Sequence, residues 1–389
     1  MPDIVVRPAE ASDLDGLDVV RSLTYNNGDP IPLERRERVV KGVQSFVADQ
    51  GGQIVGACEV LDMTANRGEA VLRCGAVAGV AVLPEARKSG VGSLMMSWLV
   101  GHLRETGVPL ASLYAFREPF YRKFGYEVAG KRLKITCPTN RWPRLESQLP
   151  FHRLTPADWR DLVDCYNQFA ATRSGVNMRT EWQWKRVLGE NRQLTIYAVG
   201  EPVEAYAVVS HVTAFWTTDH LSEIVWSTRR GYEGLMCMLG GLAINKTALS
   251  WFEPSDGPFY SDYMDQGVSV AVERPIMFRV TDVPAALQAL KPPKDLMGSF
   301  SFAVSDYLVE ENRGPFNVNF SDGSVQVDFE PTASPDFSLD IRNFAQALLG
   351  EPNLGDLMRQ GRVDVFDEQG FAEASQLLPS SSVCCLDFF

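Results

Sequence analysis

Histidine is scarce in this 389-residue chain: only His102, His152, His211 and His220 occur, too few for a histidine-based metal centre to be expected. The seven cysteines, Cys58, Cys74, Cys137, Cys165, Cys237, Cys384 and Cys385, are scattered and odd in number, and no CxxC occurs. Adjacent cysteines form no ordinary unstrained disulfide, so neither a disulfide framework nor a zinc site is expected. No stretch approaches eighteen consecutive apolar residues, and the start MPDIVVRPAE has neither a basic leader nor an apolar signal core. The expectation is a cytoplasmic protein without a membrane span. A basic domain or stripe is missing too, which argues against nucleic acid as a partner.

The composition is 45% hydrophobic and 22% charged, ordinary for a soluble globular protein, and the length calls for two or three domains. The net charge of −12 is uneven: residues 1–140 carry +1 and residues 276–389 carry −10. Such asymmetry suits a protein that holds an anionic cofactor in one place and attracts a cationic substrate to another. Acidity also serves solubility alone, and charge does not decide between the two.

The opening IVVRPAEASDLDGL reads as strand, turn and helix, and LPFHRLTPADWRDL repeats that plan with a capping-box start at Thr155 and Asp158. SFVADQGGQIVGACEV and TIYAVGEPVEAYAVV continue the two units in the same order, as strand, Gly-containing turn and strand. These two correspondences in the same order suggest an internal duplication with a period of roughly 150 residues. CPTNRWPRLESQLP, with Pro138, Pro143 and Pro150, reads as the linker between the two units. A further change near Glu273 opens an α+β unit in which FNVNFSDGSVQVDFEP makes two strands around an Asp-Gly turn and a helix stops at Gly350. The expected domains are 1–140, 146–275 and 276–389, and the final stretch PSSSVCCLDFF has no helical period.

The first unit holds the segment with most chemical content, CGAVAGVAVLPEARKSGVGSLMM. A continuous apolar run ends at Pro84, and Leu94, Met95, Trp98, Leu99 and Leu103 then share one helical face. Between them lies the turn Arg87-Lys88-Ser89-Gly90-Val91-Gly92. Glycines there let backbone approach a ligand, free amides at a helix N-terminus bind phosphate, and Arg87 or Lys88 adds charge. The spacing matches neither GxxxxGK[ST] nor GxGxxG. Downstream, PLASLYAFREPFYRKFGYEVAG supplies another apolar strand, a short helix carrying Tyr121, and FGY leading into a further strand.

Together, VAVLPEARKSGVG and FYRKFGYEVAG resemble the GNAT superfamily of acyl-CoA-dependent N-acetyltransferases. Arg87, Gly90 and Gly92 match its R/Q-x-x-G-x-G/A pyrophosphate loop, and Tyr121, ahead of FGY, matches its usual general acid. Over the full chain the sequence is similar to the enhanced intracellular survival (Eis-like) acetyltransferases. The resemblance implies tandem GNAT domains, the second degenerate, each a mixed central sheet flanked by helices. It also implies a C-terminal domain like sterol carrier proteins, and a hexamer. In the second unit, LSEIVWSTRRGYEGLMCML places Tyr232 three positions after Arg229 where the loop needs glycine, so only the first unit is expected to bind acetyl-CoA.

The family likeness also implies roles for individual residues. The α-carboxylate of Phe389 maps to the base that deprotonates the amine, and Tyr121 to the acid that protonates the departing thiolate, with Tyr126 an alternative phenol. Val80, Ala81 and Val82 would offer backbone groups to the pantetheine arm and thioester oxygen. Arg87, Lys88, Ser89, Gly90, Val91, Gly92 and Ser93 would cradle the pyrophosphate, and Phe116 with Arg117 would flank the thioester. Asp29, Glu34 and Asp387 are candidates for binding ammonium groups. The acceptor implied is a cationic polyamine or aminoglycoside-like amine. Protein lysines, or an apolar ligand held by residues 276–389, are the alternatives.

Overall fold

The computed structural model describes residues 3–30, 43–189, 194–210, 216–274, 276–332 and 334–389. In the first half, the strands are β1 (Ile4–Pro8), β2 (Val43–Gln50), β3 (Gln53–Arg67), β4 (Ala70–Val82), β5 (Leu110–Leu113) and β6 (Glu127–Val128). Then come β7 (Arg132–Pro138), β8 (Phe151–Leu154), β9 (Leu194–Val199), β10 (Ala205–Ser210), β11 (Thr218–Trp226), β12 (Ala248–Pro254), β13 (Ser269–Glu273) and β14 (Met277–Val280). The third unit adds β15 (Gly298–Ser305), β16 (Phe316–Ser321), β17 (Ser324–Phe329), β18 (Phe337–Asp340) and β19 (Val363–Val365).

Two seven-stranded sheets repeat one plan, in the orders β1-β2-β3-β4-β5-β14-β6 and β13-β7-β12-β11-β10-β9-β8. Each contains one parallel pair, β4 with β5 and β11 with β12, joined by a crossover helix, Val91–Glu105 in the first half and Arg229–Ala243 in the second. A five-stranded sheet, β17-β16-β15-β18-β19, forms the third unit. Its β16–β17 hairpin turns at Asp322 and Gly323, both at positive φ as the Asp-Gly pair demands. The expected capping box at Thr155 and Asp158 is present, and Gly350 ends the helix Ile341–Leu349 in the left-handed region.

The strands cross the domain boundaries expected from the sequence. β7 leaves the first half and pairs with β12 and β13 in the second sheet, while β14 returns from beyond the second half to sit between β5 and β6. Each sheet is therefore completed by a strand lying on the far side of a sequence boundary. The stretch read as a linker is not free either. Cys137 and Pro138 lie in β7, Trp142 donates its indole N–H to the Met236 carbonyl at 2.8 Å, and its ring packs on Trp251 and Phe259.

Apolar side chains explain why the units stay together. Leu72, Cys74 and Leu110 of the first sheet and Phe278 of β14 share one core with Phe302, Phe344 and Leu348 of the third unit. Phe302 stacks on Phe337 and Phe344 with centroids 5.6 and 5.5 Å apart, so aromatic rings fill the middle of that unit. Removing β14 strips the first sheet of a strand whose four residues are all buried. A fragment of residues 1–140 is thus expected to show no cooperative urea unfolding by circular dichroism, whereas the full chain does; a cooperative transition in the fragment would refute this.

Candidate active site

The parallel ladder between β4 and β5 is short. It runs from Cys74 opposite Leu110 to Val77 opposite Leu113, after which the two strands part. Just past the fork, β4 takes an extra residue against β3: Glu59 faces Ala78 and Ala57 faces Ala81, with Gly79 and Val80 bulged between. Gly79 has φ +58, a left-handed conformation that a side chain would strain. The bulge turns the backbone of Gly79 and Val80 out of the regular ladder and re-aims the strand where it borders the cleft. Tyr25, at the end of the helix Leu14–Tyr25, donates its hydroxyl to the Val80 carbonyl at 2.8 Å. Val80, Ala81 and Val82 therefore line one wall of the splay.

Beyond Val82 the chain turns through Pro84–Ala86 into the basic loop. The Arg87 Nε donates to the Val82 carbonyl at 3.1 Å, Lys88 sits at φ +63, and Gly90 at φ +93 precedes the helix Val91–Glu105. No side chain among the described residues caps this helix, so the first-turn amides at Val91, Gly92 and Ser93 keep their donor capacity for a ligand. A Cβ at Gly90 would meet nothing within 4 Å, so backbone conformation and not crowding calls for glycine there.

The other wall begins at Tyr114 and carries Phe116 and Arg117, both exposed, into the short helix Glu118–Arg122. Tyr121 on that helix is 3% exposed and edge-on to Phe116 and Phe120. Burial pushes its phenol above the ordinary tyrosine value, and the neighbouring Tyr25 and Cys58 add to the shift. Tyr126, the alternative acid, is fully buried, and its hydroxyl has no partner among the described residues.

The carboxyl-terminal segment ends at the fork itself. The Tyr114 hydroxyl donates to the Asp387 carbonyl at 2.9 Å, and its ring lies 4.9 Å from Phe388 and 5.0 Å from Phe389. Phe389 is half-buried against Leu61, Met63 and Ala76 of β3 and β4. Of the residues considered for ammonium binding, Asp387 is excluded: it is buried, and its carboxylate accepts from Arg179 Nε at 2.8 Å and Asn177 at 3.2 Å. Asp29 is exposed, and Glu34 lies outside the described residues.

The second half makes the contrast. There Thr228 caps the equivalent helix by accepting from the Gly231 amide, and Arg230 pairs with Glu204. Arg229 is held by Glu233 and Asp262. Its helix N-terminus and its cations are already satisfied from within.

An acetyltransferase (GNAT) domain model matches residues 5–129, and a sterol carrier protein domain model matches residues 283–386. The N-acetyltransferase Eis of Mycobacterium bovis is 24% identical over 343 residues, covering 83% of this chain and 82% of that protein. Residues 5–129 thus form a GNAT acetyltransferase domain, and the chain as a whole is similar to the Eis N-acetyltransferases. Among solved structures, a GCN5-related N-acetyltransferase from Anabaena variabilis is similar at TM-score 0.87 and 18% identity, with both chains covered completely. Eis1 from Mycobacterium abscessus is similar at TM-score 0.78 and 18% identity, again over both full chains. These two likenesses are of fold.

Sequence reasoning missed the bulge, Tyr25 and the Arg179–Asp387 pair. A glycine inside an apolar run was the available sign of the first; the others join residues distant in sequence. Gly90→Val places a β-branched residue at positive φ, and its acetyl-CoA Kd is expected to rise about tenfold. Titration calorimetry checks this, with Arg230→Ala in the second half leaving Kd unchanged; equal effects at both positions would contradict the assignment.

Proposed function

We propose that the first half transfers the acetyl group of acetyl-CoA to a cationic polyamine or aminoglycoside-like amine. The observation that carries this is the difference between the two halves: the splay of the first opens onto an uncapped helix N-terminus behind Gly90, and that of the second does not. No His/Cys/Asp/Glu cluster suited to a metal occurs among the described residues. None of those residues forms a helix long and apolar enough to cross a membrane.

Bound along the splay, acetyl-CoA would rest its pyrophosphate on residues Arg87–Ser93 and its thioester near the bulge, with Phe116 and Arg117 on the far wall. The backbone of Val80–Val82 supplies donors beside the thioester oxygen, an oxyanion-hole role. The α-carboxylate of Phe389 takes a proton from the substrate ammonium. The freed amine nitrogen bonds to the acetyl carbon, the carbon–sulfur bond breaks, Tyr121 gives its proton to the leaving sulfur, and the second proton lost from nitrogen restores the Tyr121 phenol. A phenol held above its usual value remains protonated through neutral pH, as an acid must.

The net charge of −10 on residues 276–389 is compatible with a cationic acceptor. The alternative of an apolar-ligand carrier is disfavoured by the stacked Phe302, Phe337 and Phe344 at the centre of the third unit. The hexamer implied by the resemblance belongs to the same proposal and is read by light scattering.

Thiol release from acetyl-CoA, followed with a panel of polyamines, aminoglycosides and lysine-containing peptides, tests the reading. Turnover is expected with the cationic small amines, and Tyr121→Phe is expected to lower kcat by about a hundredfold. Because the Tyr121 value is raised, kcat should show no fall as pH climbs through about 10, where an unperturbed tyrosine loses its proton. Turnover confined to peptides would replace the acceptor class, and full activity in Tyr121→Phe would remove the assigned acid.

A further inference from the structure

The second half keeps the cofactor cleft of the first in its backbone. β11 and β12 pair only from Thr218 opposite Ala248 to His220 opposite Ser250 and then part. β11 also carries the same extra residue: Val209 faces Leu221 and Val208 faces Glu223, leaving Ser222 bulged just beyond the fork. Fork and bulge stand in the same order as Val77 and Gly79–Val80 in β4. A cleft of this shape left empty would expose apolar strand faces.

The chain's own carboxyl-terminal segment lies against this fork. Ser222–Ile224 of β11, Phe252–Pro254 of β12 and Cys384–Leu386 of the tail line one small cavity. Cys384 belongs to the apolar core of the second half, and Leu386 packs against it. The segment is led there by strand-like pairing with Ser174, whose amide donates to the Ser382 carbonyl and whose carbonyl accepts from the Cys384 amide, both at 2.9 Å. Gly130 marks how tightly it passes, since a Cβ there would lie 2.5 Å from the Val383 carbonyl oxygen.

Asp387 fixes the end. Its carboxylate meets Arg179, a guanidinium with no exposed side-chain surface that also takes both oxygens of Glu223 at 3.0 and 2.5 Å. Glu223 immediately follows the Ser222 bulge. The ion pair therefore ties the tail to the point in the second half that corresponds to the thioester wall of the first.

We propose that the splayed strands of the second half are a receptor for the chain's own residues Cys384–Asp387, and that Arg179 is the positioning residue that sets Phe389 at the fork of the first half. The degenerate domain holds a segment of its own chain where its sister holds a cosubstrate. The catalytic consequence rests on the reading of Phe389 as base; the receptor itself does not.

Asp387→Ala tests both in the full-length protein. Arg179 keeps Glu223 in this variant, so no buried charge is left alone and the fold is expected to persist; retained acetyl-CoA affinity checks that. Release of phenylalanine by carboxypeptidase under native conditions reports how often the tail leaves its slot. Release is expected to be about tenfold faster than from the unaltered chain. At the same time kcat should fall by about a hundredfold, the scale for a group displaced by ~1 Å, with the KM for acetyl-CoA unchanged. Release as slow as in the unaltered chain overturns the receptor. Faster release with unchanged kcat supports the receptor and overturns the role of Phe389 as base. Asp387→Asn, which keeps the shape and a hydrogen-bonding oxygen, is expected to fall between the two, and should it behave as Asp387→Ala, the charge is the element that positions the tail.

Discussion

The guanidinium of Arg179 sits sealed from solvent between Asp387 at the end of the chain and Glu223 on β11, with the rings of Tyr166 and Trp184 4.4 and 4.8 Å from it. Burial works against its charge, and the carboxylates of Asp387 and Glu223 outweigh that cost and hold its pKa above the usual arginine range. Losing Arg179 would leave two buried carboxylates uncompensated, a cost of about 3–5 kcal/mol, while replacing the whole group by apolar side chains is often neutral. Its contribution is therefore registry more than net stability. It decides where the last residues lie, and those residues reach the fork of the first sheet, where Tyr114 receives them.

The rest of the architecture keeps that registry rigid. With β7 passing from the first half into the second sheet and β14 returning from beyond the second half into the first, neither sheet is whole within its own stretch of chain, and the units cannot separate without losing ladder hydrogen bonds. The third unit adds a core shared with β4, β5 and β14. The two halves present forks of one shape that differ locally at the helix which follows. One kept glycine at positive φ before an uncapped helix; the other acquired Thr228, Glu204 and Asp262, which satisfy the same helix end and its arginines from within.

How much of this was legible in the sequence depended on the range of each interaction. Local signals read correctly: the Thr155–Asp158 capping box, the Asp322-Gly323 turn, the stop at Gly350, and the strand–basic loop–helix order around Arg87 and Gly90. The duplication was visible because both halves keep strand and turn order. The strand exchange was not, because RLKITCP and IMFRV announce strands without saying which sheet they join. The boundaries at 140 and 275 therefore cut through pairings that only the fold displays. Asp387 looked like a free carboxylate near an aromatic end, and its partner Arg179 stands 208 residues away.

The central claim is that acetyl transfer in the first half uses a proton acceptor at the end of a tail held by the second. The most direct measurement is the single-turnover rate of acetyl transfer to a polyamine in the chain with Phe389 removed, at saturating acetyl-CoA. This account predicts that the rate collapses while acetyl-CoA affinity stays intact, since the shortened tail remains anchored at Asp387 but its carboxylate ends one residue short of the fork. An unchanged rate would contradict it and place the base elsewhere.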